Sequence, residues 1–490
     1  MTEADTSPSR QENLAASPGI AAGHEFDLAI VGGGFSGLCT AWHLLTDVML
    51  QPTFRCVIIE PDERLGAGLA YRTESPCHLL NVRARGMSIT AADPGSFARW
   101  LARAAPQYSP DDFVPRRLYR RYLKDCFDRA VDQQPAGMMT VLRDAVRGLA
   151  LLGDSPGYSL DLVSDVAVRA RAVVLAIGNL PPGPTFDNGL LCSPWCRPFD
   201  FNRIGMLAIV GAGLTALDVI LDAEAAGYRG QYKVISRHGL FPLPHREPFE
   251  PVPAEVRAWA ADLAESRPTL RHALRAFQLK RKSGVHWELL VDSLRLFASR
   301  IWKNFDQADK RRFFRHLRTI WNIHLHRSCQ HNIAVVARLK ATGRLEQIHA
   351  RVIAVEKRGS HCDTAVRLVL RRGTDFTLDA DAAVDGTGLF TTIRRTGSAL
   401  VAQLLDDGMV QPDDFCLGLK ATETGQLLSA DGSVRIDLFT VGTLRRGEEL
   451  ECTAVPEIRK QVAVMVQEIL RLVGDARRDE PRQPVGPTAE

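Results

Sequence analysis

A chain of 490 residues is longer than a single hydrophobic core usually accommodates, so we expect two or three domains, or one large domain with insertions. Its content of 45% hydrophobic and 24% charged residues excludes an intrinsically disordered chain. The net charge of +4 is small for this length and gives no reason to expect a nucleic-acid partner.

The two ends of the chain differ from its middle. Residues 1–24 are rich in Ala, Ser and Pro, and residues 476–490 are charged and contain Pro, so we expect both ends to be disordered. No basic segment leads into an apolar stretch at the start, and no run of about twenty apolar residues occurs. The sequence therefore predicts a cytoplasmic protein with no membrane partner, whose ten scattered cysteines are reduced. Nothing in it indicates an oligomeric state.

The first structural signal is a strand, a glycine turn and a helix in succession. An apolar strand runs directly into Gly32, Gly34 and Gly37, which have the spacing Gly-x-Gly-x-x-Gly. Gly32 allows the tight turn, Gly34 lets the backbone approach a pyrophosphate, and Gly37 lets the helix pack on the strand. The helix start, with Phe35 and Ser36, offers N–H groups to phosphates. These five residues are predicted to bind a dinucleotide.

The next strand indicates which dinucleotide binds at this turn. It covers residues 54–59 and ends at Glu60. A carboxylate there can accept hydrogen bonds from adenosine ribose hydroxyls and repels a 2′-phosphate. We therefore predict FAD at this turn; the alternative is a glycine turn that binds no ligand.

A second strand, turn and helix begin at residue 206. The turn contains Gly211 and Gly213, with Ala at the third glycine position, and Leu214 and Thr215 open the helix. The following strand ends in Ser-Arg-His instead of an acid, and Arg237 can neutralise a ribose 2′-phosphate there. These residues are predicted to bind NADPH, with NADH as the alternative donor. A solvated charge at the strand end is the other interpretation of Arg237.

Two further strands end in glycine turns, over residues 172–179 and 382–388. We interpret them as strands that return the chain to the FAD domain, although each alone is also typical of a generic buried strand. The predicted fold class is α/β with two Rossmann-type domains. The FAD-binding domain covers residues 25–200 and 346–475, and the NAD(P)H-binding domain, residues 201–345, is inserted in it.

The inserted domain is itself interrupted by a helical stretch over residues 255–330. From residue 255 to residue 327 it holds sixteen Lys or Arg and seven Asp or Glu. Such a basic insertion could attract an anionic substrate or hold the phosphates of NADPH; a solvated helix face explains the same charges. It ends in a polar and aromatic cluster of Trp321, His324, His326 and Arg327. No acid stands near the His-x-His pair of this cluster in the sequence, so we expect no metal site.

Four motifs carry a resemblance to a known group. They are Gly66-x-Gly68-x-Ala70-Tyr71, His78-Leu79-Leu80-Asn81-Val82, Ser236-Arg237-His238-Gly239-Leu240 leading to Pro244-His245-Arg246, and Ala454–Arg459. With them the chain resembles, over residues 26–470, bacterial FAD/NAD(P)-binding proteins related to the class B flavin monooxygenases. Its two Rossmann units are also similar to those of FAD-dependent urate hydroxylases.

The resemblance implies further cofactor contacts and no catalytic residue; the one candidate for catalysis comes from the sequence itself. Gly68 belongs to the first motif, Gly442 follows the last predicted strand, and Val455 opens the last helix. In flavoproteins of this class that helix start faces the pyrimidine edge of the flavin and can stabilise negative charge there. Asn81 is the candidate catalytic residue, as an amide near the flavin or the nicotinamide; a structural role in its loop is the alternative.

Motifs that are absent narrow the chemistry. No Phe-x-Gly-x-x-x-His lies between the two Rossmann units, which disfavours Baeyer-Villiger oxidation. Neither Cys-x-x-x-x-Cys nor Cys-x-x-Cys occurs, which disfavours a disulfide reductase because that reaction needs two close thiols beside the flavin.

We therefore expect a monooxygenase that uses FAD, NAD(P)H and O2 to hydroxylate a small nitrogen-rich molecule. Urate, oxidised to 5-hydroxyisourate, is the first substrate hypothesis, because a planar anion suits a basic pocket. The second hypothesis is N-hydroxylation of an amino acid or amine. The third is a flavin dehydrogenase or electron-transfer module that serves a partner protein.

Overall fold

The computed structural model describes residues 25–153, 156–180, 189–195, 200–358, 364–388 and 392–478. Within these ranges the chain forms two units built on parallel strands, a three-stranded antiparallel sheet and a helical insertion. The ends predicted to be disordered lie outside these ranges, except for residues 476–478, which end the last helix. No helix in the described part of the chain is long and apolar enough to cross a membrane.

The first unit begins with two parallel strands that are connected by a helix. In chain order its elements are β1 (Glu25–Val31), α1 (Phe35–Leu45), β2 (Cys56–Ile59), α2 (Gly68–Tyr71), α3 (Ser96–Ala104), α4 (Arg116–Asp132), β3 (Met139–Leu142), β4 (Val146–Leu151), β5 (Tyr158–Leu162) and β6 (Ala167–Leu175). β1 is buried from its second residue onward and pairs in parallel with β2 and β6. Apolar side chains on both faces are typical of such a central parallel strand.

The second unit repeats this beginning. β7 (Met206–Val210), α5 (Leu214–Ala225) and β8 (Gln231–Ser236) come first. The chain then forms the helices of the insertion, α6 (Ala254–Glu265), α7 (Leu270–Lys282), α8 (Trp287–Leu296), α9 (Ala298–Asn304), α10 (Gln307–Arg312) and α11 (Arg318–Leu325). It returns through α12 (Gln330–Ala341) to β9 (Leu345–His349), which pairs in parallel with β8.

The strands that follow belong to the second unit and not, as predicted, to the first. They are β10 (Arg351–Lys357), β11 (Val366–Arg372), β12 (Thr374–Ala380) and β13 (Ala382–Asp385). β13 pairs in parallel with β7, so the second sheet has the order β13-β7-β8-β9. The prediction that residues 382–388 return the chain to the first unit is therefore wrong, as is the boundary at residue 345. The physical reason is that β10, β11 and β12 form an antiparallel sheet whose Val352 and Leu368 share a buried core with Ala208 of the second sheet.

The chain completes the first unit after residue 392. The remaining elements are α13 (Ala399–Asp406), β14 (Gln426–Leu428), β15 (Val434–Thr440) and α14 (Val455–Arg478). β15 pairs in parallel with β6, which gives the order β14-β15-β6-β1-β2-β3. In addition, β5 pairs in antiparallel fashion with both β6 and β4. Helices α1, α4 and α14 cover one face of this sheet and α13 the other. The predicted insertion of one Rossmann-type unit in the other is thus present.

The helical insertion contacts both units. Its core includes Trp302 and Phe313, and Phe415 and Leu450 of the first unit pack against that core. The indole N–H of Trp302 donates a 3.1 Å hydrogen bond to the carbonyl of Gly447. The insertion therefore bridges the second unit, from which it emerges, and the first.

Candidate functional site

The first glycine turn has the geometry that the sequence predicts. Gly32 has a φ of +105°, and a Cβ added there would lie 2.5 Å from the carbonyl oxygen of Ala176. A Cβ on Gly37 would lie 1.9 Å from the carbonyl oxygen of Gly32, so α1 packs directly on the turn. Gly34 caps α1 without a side-chain hydrogen bond, and a Cβ there would only touch Gly68 at 3.4 Å. The N–H groups at the start of α1 are thus available to an anion.

Glu60 is held beside this turn. Its carboxylate accepts hydrogen bonds from the backbone N–H of Gly33 at 2.7 Å and of Asp62 at 2.9 Å. The same side chain lines the cavity at the turn. Two backbone donors thus fix a carboxylate at the edge of this cavity, which is the placement that a ribose-binding acid would need.

The cavity at the first turn gathers most of the residues predicted for FAD. The predicted residues that line it are Gly32, Gly34, Phe35, Ser36, Glu60, Gly68 and Val455. Gly37 and Gly442 do not line it: Gly37 packs against the turn, and a Cβ on Gly442 would lie 3.2 Å from the hydroxyl of Ser36. Sequence reasoning missed Asn179, Thr443 and Thr453, which also line it. The strand and glycine turn that end at Asn179 were the available signal.

The second glycine turn is built in the same way. Gly211 has a φ of +116°, and its added Cβ would lie 2.3 Å from the carbonyl oxygen of Gly386, next to β13. Gly213 caps α5 without a side-chain hydrogen bond, and an added Cβ would meet nothing within 4 Å. The start of α5, with Leu214 and Thr215, is therefore an open cradle of backbone N–H groups.

Arg237 follows the end of β8 and is exposed. Arg318, at the start of α11, places a second guanidinium near that of Arg237. Burial and the charges of Arg446 and Arg237 lower the pKa of Arg318 to about 10. The insertion thus adds positive charge near Arg237, the residue predicted to pair with a 2′-phosphate.

A cavity of about 990 Å³ lies where the two units and the insertion meet. Leu214 and Thr215 line it from the second unit, and Asn81 and Val455 line it from the first. His326 lines it from the insertion. The starts of α5 and α14 therefore open into one space, which is large enough for two ring systems and a small molecule.

Two polar side chains in this cavity are not engaged by the protein. The side-chain amide of Asn81 has no hydrogen-bond partner among the described residues, while the backbone carbonyl oxygen of Asn81 lies 2.9 Å from Nε2 of His245. The ring nitrogens of His326 likewise form no hydrogen bond within the described ranges. Burial and the charges of Arg295, Arg446 and Arg327 lower the pKa of His326 to about 4. A neutral imidazole and an amide thus face the cavity.

The other members of the predicted polar cluster have structural roles. Nδ1 of His324 lies 2.7 Å from the carbonyl oxygen of Ile320, and Arg327 is buried in ion pairs with Glu288 and Asp292. Sequence reasoning missed Asp218, Arg116 and Asp385 in the central cavity, because no local pattern marks them.

Comparisons with known proteins show which solved structures share this fold. Residues 29–180 match a family model described as FAD-NAD(P)-binding. No sequence among the curated proteins matches the chain. The ornithine N-hydroxylase of Kutzneria sp. 744 is 14% identical, with a TM-score of 0.62 over 92% of this chain and 100% of its own.

Two further solved structures show how widely the fold is used. The cadaverine monooxygenase of Erwinia amylovora is 13% identical, with a TM-score of 0.61 over 96% of this chain and 100% of its own. The bacillithiol disulfide reductase of Bacillus cereus is 11% identical, with a TM-score of 0.53 over 92% of this chain and 100% of its own. The α/β fold class and the resemblance to flavin monooxygenases are thus confirmed in fold, whereas the chemistry has to be argued from the site.

Proposed function

We propose that this protein is an FAD- and NADPH-dependent monooxygenase that hydroxylates a nitrogen atom of an amino acid or a diamine. The observation that carries the proposal is the single cavity of about 990 Å³ onto which Thr215 of α5 and Val455 of α14 both open. A dinucleotide held at each glycine turn would extend its redox-active ring into this space, with room for a small substrate.

The residues at the first turn fit FAD. A Cβ on Gly34 would stand in the gap between the turn and Gly68, which is where a pyrophosphate would approach the free N–H groups of α1. Glu60 is fixed as an acceptor for ribose hydroxyls and would repel a 2′-phosphate. Val455, at the start of α14, gives the flavin end of the cavity a positive helix terminus.

The residues at the second turn fit NADPH. Gly213 leaves open space above the start of α5, and a pyrophosphate would occupy it. Arg237 is exposed beyond the end of β8, where it can pair with a 2′-phosphate. This pairing is the reason for placing NADPH and not NADH at this unit.

When bound, the flavin would supply the oxygen transfer and NADPH its electrons. The chain itself has to orient the substrate and keep water out. Leu80, Met87 and Leu191 give the cavity apolar walls that limit water near the reacting atoms. The amide of Asn81 is free to bond a polar group of the substrate.

His326 and its surroundings suit an amine. An amine reacts at nitrogen only in its neutral form, because the ammonium ion has no lone pair. Burial and the charges of Arg295, Arg446 and Arg327 lower the pKa of His326, and the same surroundings would lower the pKa of an ammonium group bound beside it. The neutral imidazole can then accept a hydrogen bond from the amine.

The structural neighbours favour this hypothesis over urate. Those with the higher TM-scores are named for ornithine and cadaverine, which are amines, and nothing among them supports urate. A disulfide reductase shares the fold, but no cysteine is among the described residues that line either cavity. N-hydroxylation is therefore the reaction that fold and site support together.

The test is a substrate screen with the purified yellow protein. L-ornithine, L-lysine, cadaverine and urate are each added with NADPH, and oxygen uptake, NADPH oxidation and product mass are followed. We expect one amine to accelerate both rates and to gain one oxygen atom, and urate to have no effect. Acceleration by urate alone, or NADPH oxidation that yields only hydrogen peroxide with every amine, would overturn the proposal.

A further inference from the structure

A second set of contacts joins the two units along α5, beyond the first residues of that helix. Nε2 of His78 lies 3.0 Å from Oδ1 of Asp222. Nη1 of Arg116 donates to Oδ2 of Asp218 at 2.7 Å, and its Nη2 donates to Oδ1 at 3.2 Å. Asp218 and Asp222 are four residues apart, so they lie on one face of α5. We call these four residues the α5 clamp.

The first-unit half of the α5 clamp is itself held in place. Nε of Arg116 donates to the carbonyl oxygen of Leu79 at 3.0 Å. Nδ1 of His78 lies 2.7 Å from the hydroxyl of Thr73. The loop that carries His78 lies between the cores, because Cys77 packs on the core of the second unit and Leu80 belongs to the core of the first.

The α5 clamp is shielded from water, which makes it more than a surface ion pair. The exposed fractions of the side chains are 5% for His78, 14% for Asp222, 13% for Arg116 and 9% for Asp218. Burial disfavours the charged imidazolium, but the hydrogen bond to Asp222 and the charges of Asp218 and Asp222 outweigh it, so the pKa of His78 is raised. The positive charge of Arg116 opposes that shift.

The position of α5 matters for the cavity. The start of this helix, Leu214 and Thr215, forms one wall, and Val455 of the first unit forms another. A rotation of α5 about the first unit would therefore change the distance between ligands bound on the two sides. Asp218, about one turn further along α5, lines the same cavity, and so does Arg116 at the start of α4.

We propose that the α5 clamp consists of positioning residues that hold the second unit on the first, so that a nicotinamide bound at α5 meets the flavin. This inference rests on the proposed function. It differs from a general stabilising role, because it predicts a loss of reduction rate at unchanged affinity for NADPH. A displacement of reacting groups by about 1 Å is enough for a large loss of rate.

The test uses the FAD-loaded protein and Asp222→Ala, since Asp222 does not line the cavity. Arg338→Gln is the matched control: it removes a 3.1 Å ion pair with Glu224, which also lies on α5 but is bonded within the second unit. Amide hydrogen exchange is measured over residues 73–82 and 214–225 without NADPH. Anaerobic mixing with NADPH then gives the limiting rate of flavin reduction and the dissociation constant separately.

We expect Asp222→Ala to speed exchange in both segments and to lower the limiting reduction rate about tenfold, with the dissociation constant for NADPH within about twofold of wild type. Arg338→Gln should change none of these. If Asp222→Ala does not fold, Asp222→Asn, which keeps an acceptor for His78, should show the same changes in smaller measure.

Unchanged exchange in both segments, or faster exchange with an unchanged reduction rate, would overturn the inference. A higher dissociation constant with a normal limiting rate would also overturn it, because Asp222 would then act on binding. If NADPH fails to reduce the wild-type flavin, the proposed function fails, and the exchange experiment still decides whether the α5 clamp holds the units together.

Discussion

The indole N–H of Trp321 donates a 2.7 Å hydrogen bond to Oε1 of Glu451, which joins the helical insertion to the segment before α14. Glu451 is 5% exposed. Burial raises the pKa of Glu451 to about 7, although the hydrogen bond from Trp321 and the charge of Arg295 act in the opposite direction. Between pH 4.5, the ordinary pKa of this side chain, and about pH 7, the folded protein therefore keeps a proton on Glu451 that the unfolded chain has released.

This linkage predicts how stability depends on pH. The contribution of Glu451 is fully present below about pH 4.5 and is lost as the pH rises through about 7, by on the order of 3 kcal/mol. Glu451→Gln keeps an acceptor for Trp321 and cannot ionise. Urea unfolding at pH 5 and pH 8 should therefore show a smaller fall in the free energy of unfolding for the variant than for wild type. Equal falls would mean that Glu451 does not titrate in this range.

Gly213→Ala should weaken NADPH binding without disturbing the fold. An added Cβ meets nothing within 4 Å and the φ of −85° suits alanine, so stability should change by less than about 1 kcal/mol. The methyl group would occupy the space of the pyrophosphate, and we expect the dissociation constant for NADPH to rise at least about tenfold while FAD content stays normal. Gly153→Ala, also in open space, is the control. Titration calorimetry measures the affinity of each variant for NADPH. An affinity of Gly213→Ala equal to that of the control would exclude this turn as the NADPH site.

Arg237→Ala should change the choice between the two nicotinamide donors. A charge-assisted hydrogen bond to a 2′-phosphate contributes about 1.5–3 kcal/mol, so KM for NADPH should rise roughly tenfold to a hundredfold, while KM for NADH stays unchanged. Arg229→Ala removes an exposed guanidinium before the other end of β8 and should alter neither constant. Steady-state oxidation of each donor decides this. A parallel rise for both donors would mean that Arg237 does not recognise the 2′-phosphate.

Glu288→Ala should destabilise the base of the insertion. Glu288 is 6% exposed, accepts a 2.9 Å hydrogen bond from the backbone N–H of Arg246 and lies 3.2 Å from Nη1 of Arg327. Its loss removes one of the two ion-pair partners of a buried guanidinium among the described residues and leaves Asp292, at a cost of about 1–3 kcal/mol. Glu255→Ala, at an exposed acid of α6, should cost little. Thermal and urea unfolding compare the two; a loss below about 1 kcal/mol for Glu288→Ala would contradict the prediction.

The ionisation of Glu288 also predicts that the stability of the protein is sensitive to acid. Burial opposes ionisation of Glu288, but the hydrogen bond with His245 and the charge of Arg327 outweigh it and lower its pKa. Its contribution to stability is therefore present above the ordinary pKa of 4.5 and is lost as the pH falls through the lower folded value. Glu288→Gln should remove this part of the acid sensitivity in unfolding curves taken below pH 4.5.

The sequence by itself determined the two glycine turns. Gly32 and Gly211 are required by backbone geometry, because each has a positive φ. The spacing of Gly34 and Gly213 from them, with a strand before and a helix after each turn, is visible in the local pattern. Glu60 and Arg237 could be found in the same way, because each follows the strand after its turn. Local constraints of this kind do not depend on the rest of the fold.

Only the tertiary structure decided which strands are neighbours and what the cavity between the units contains. β13 looks like any buried strand before a glycine turn, and its pairing with β7 depends on the antiparallel sheet that covers the second unit. Arg116 and Asp218 are 102 residues apart. His326 reaches the cavity from an insertion whose periodicity predicts helices but does not predict where those helices pack. Such contacts join distant parts of the chain, and their free energy depends on packing that no short window of sequence contains.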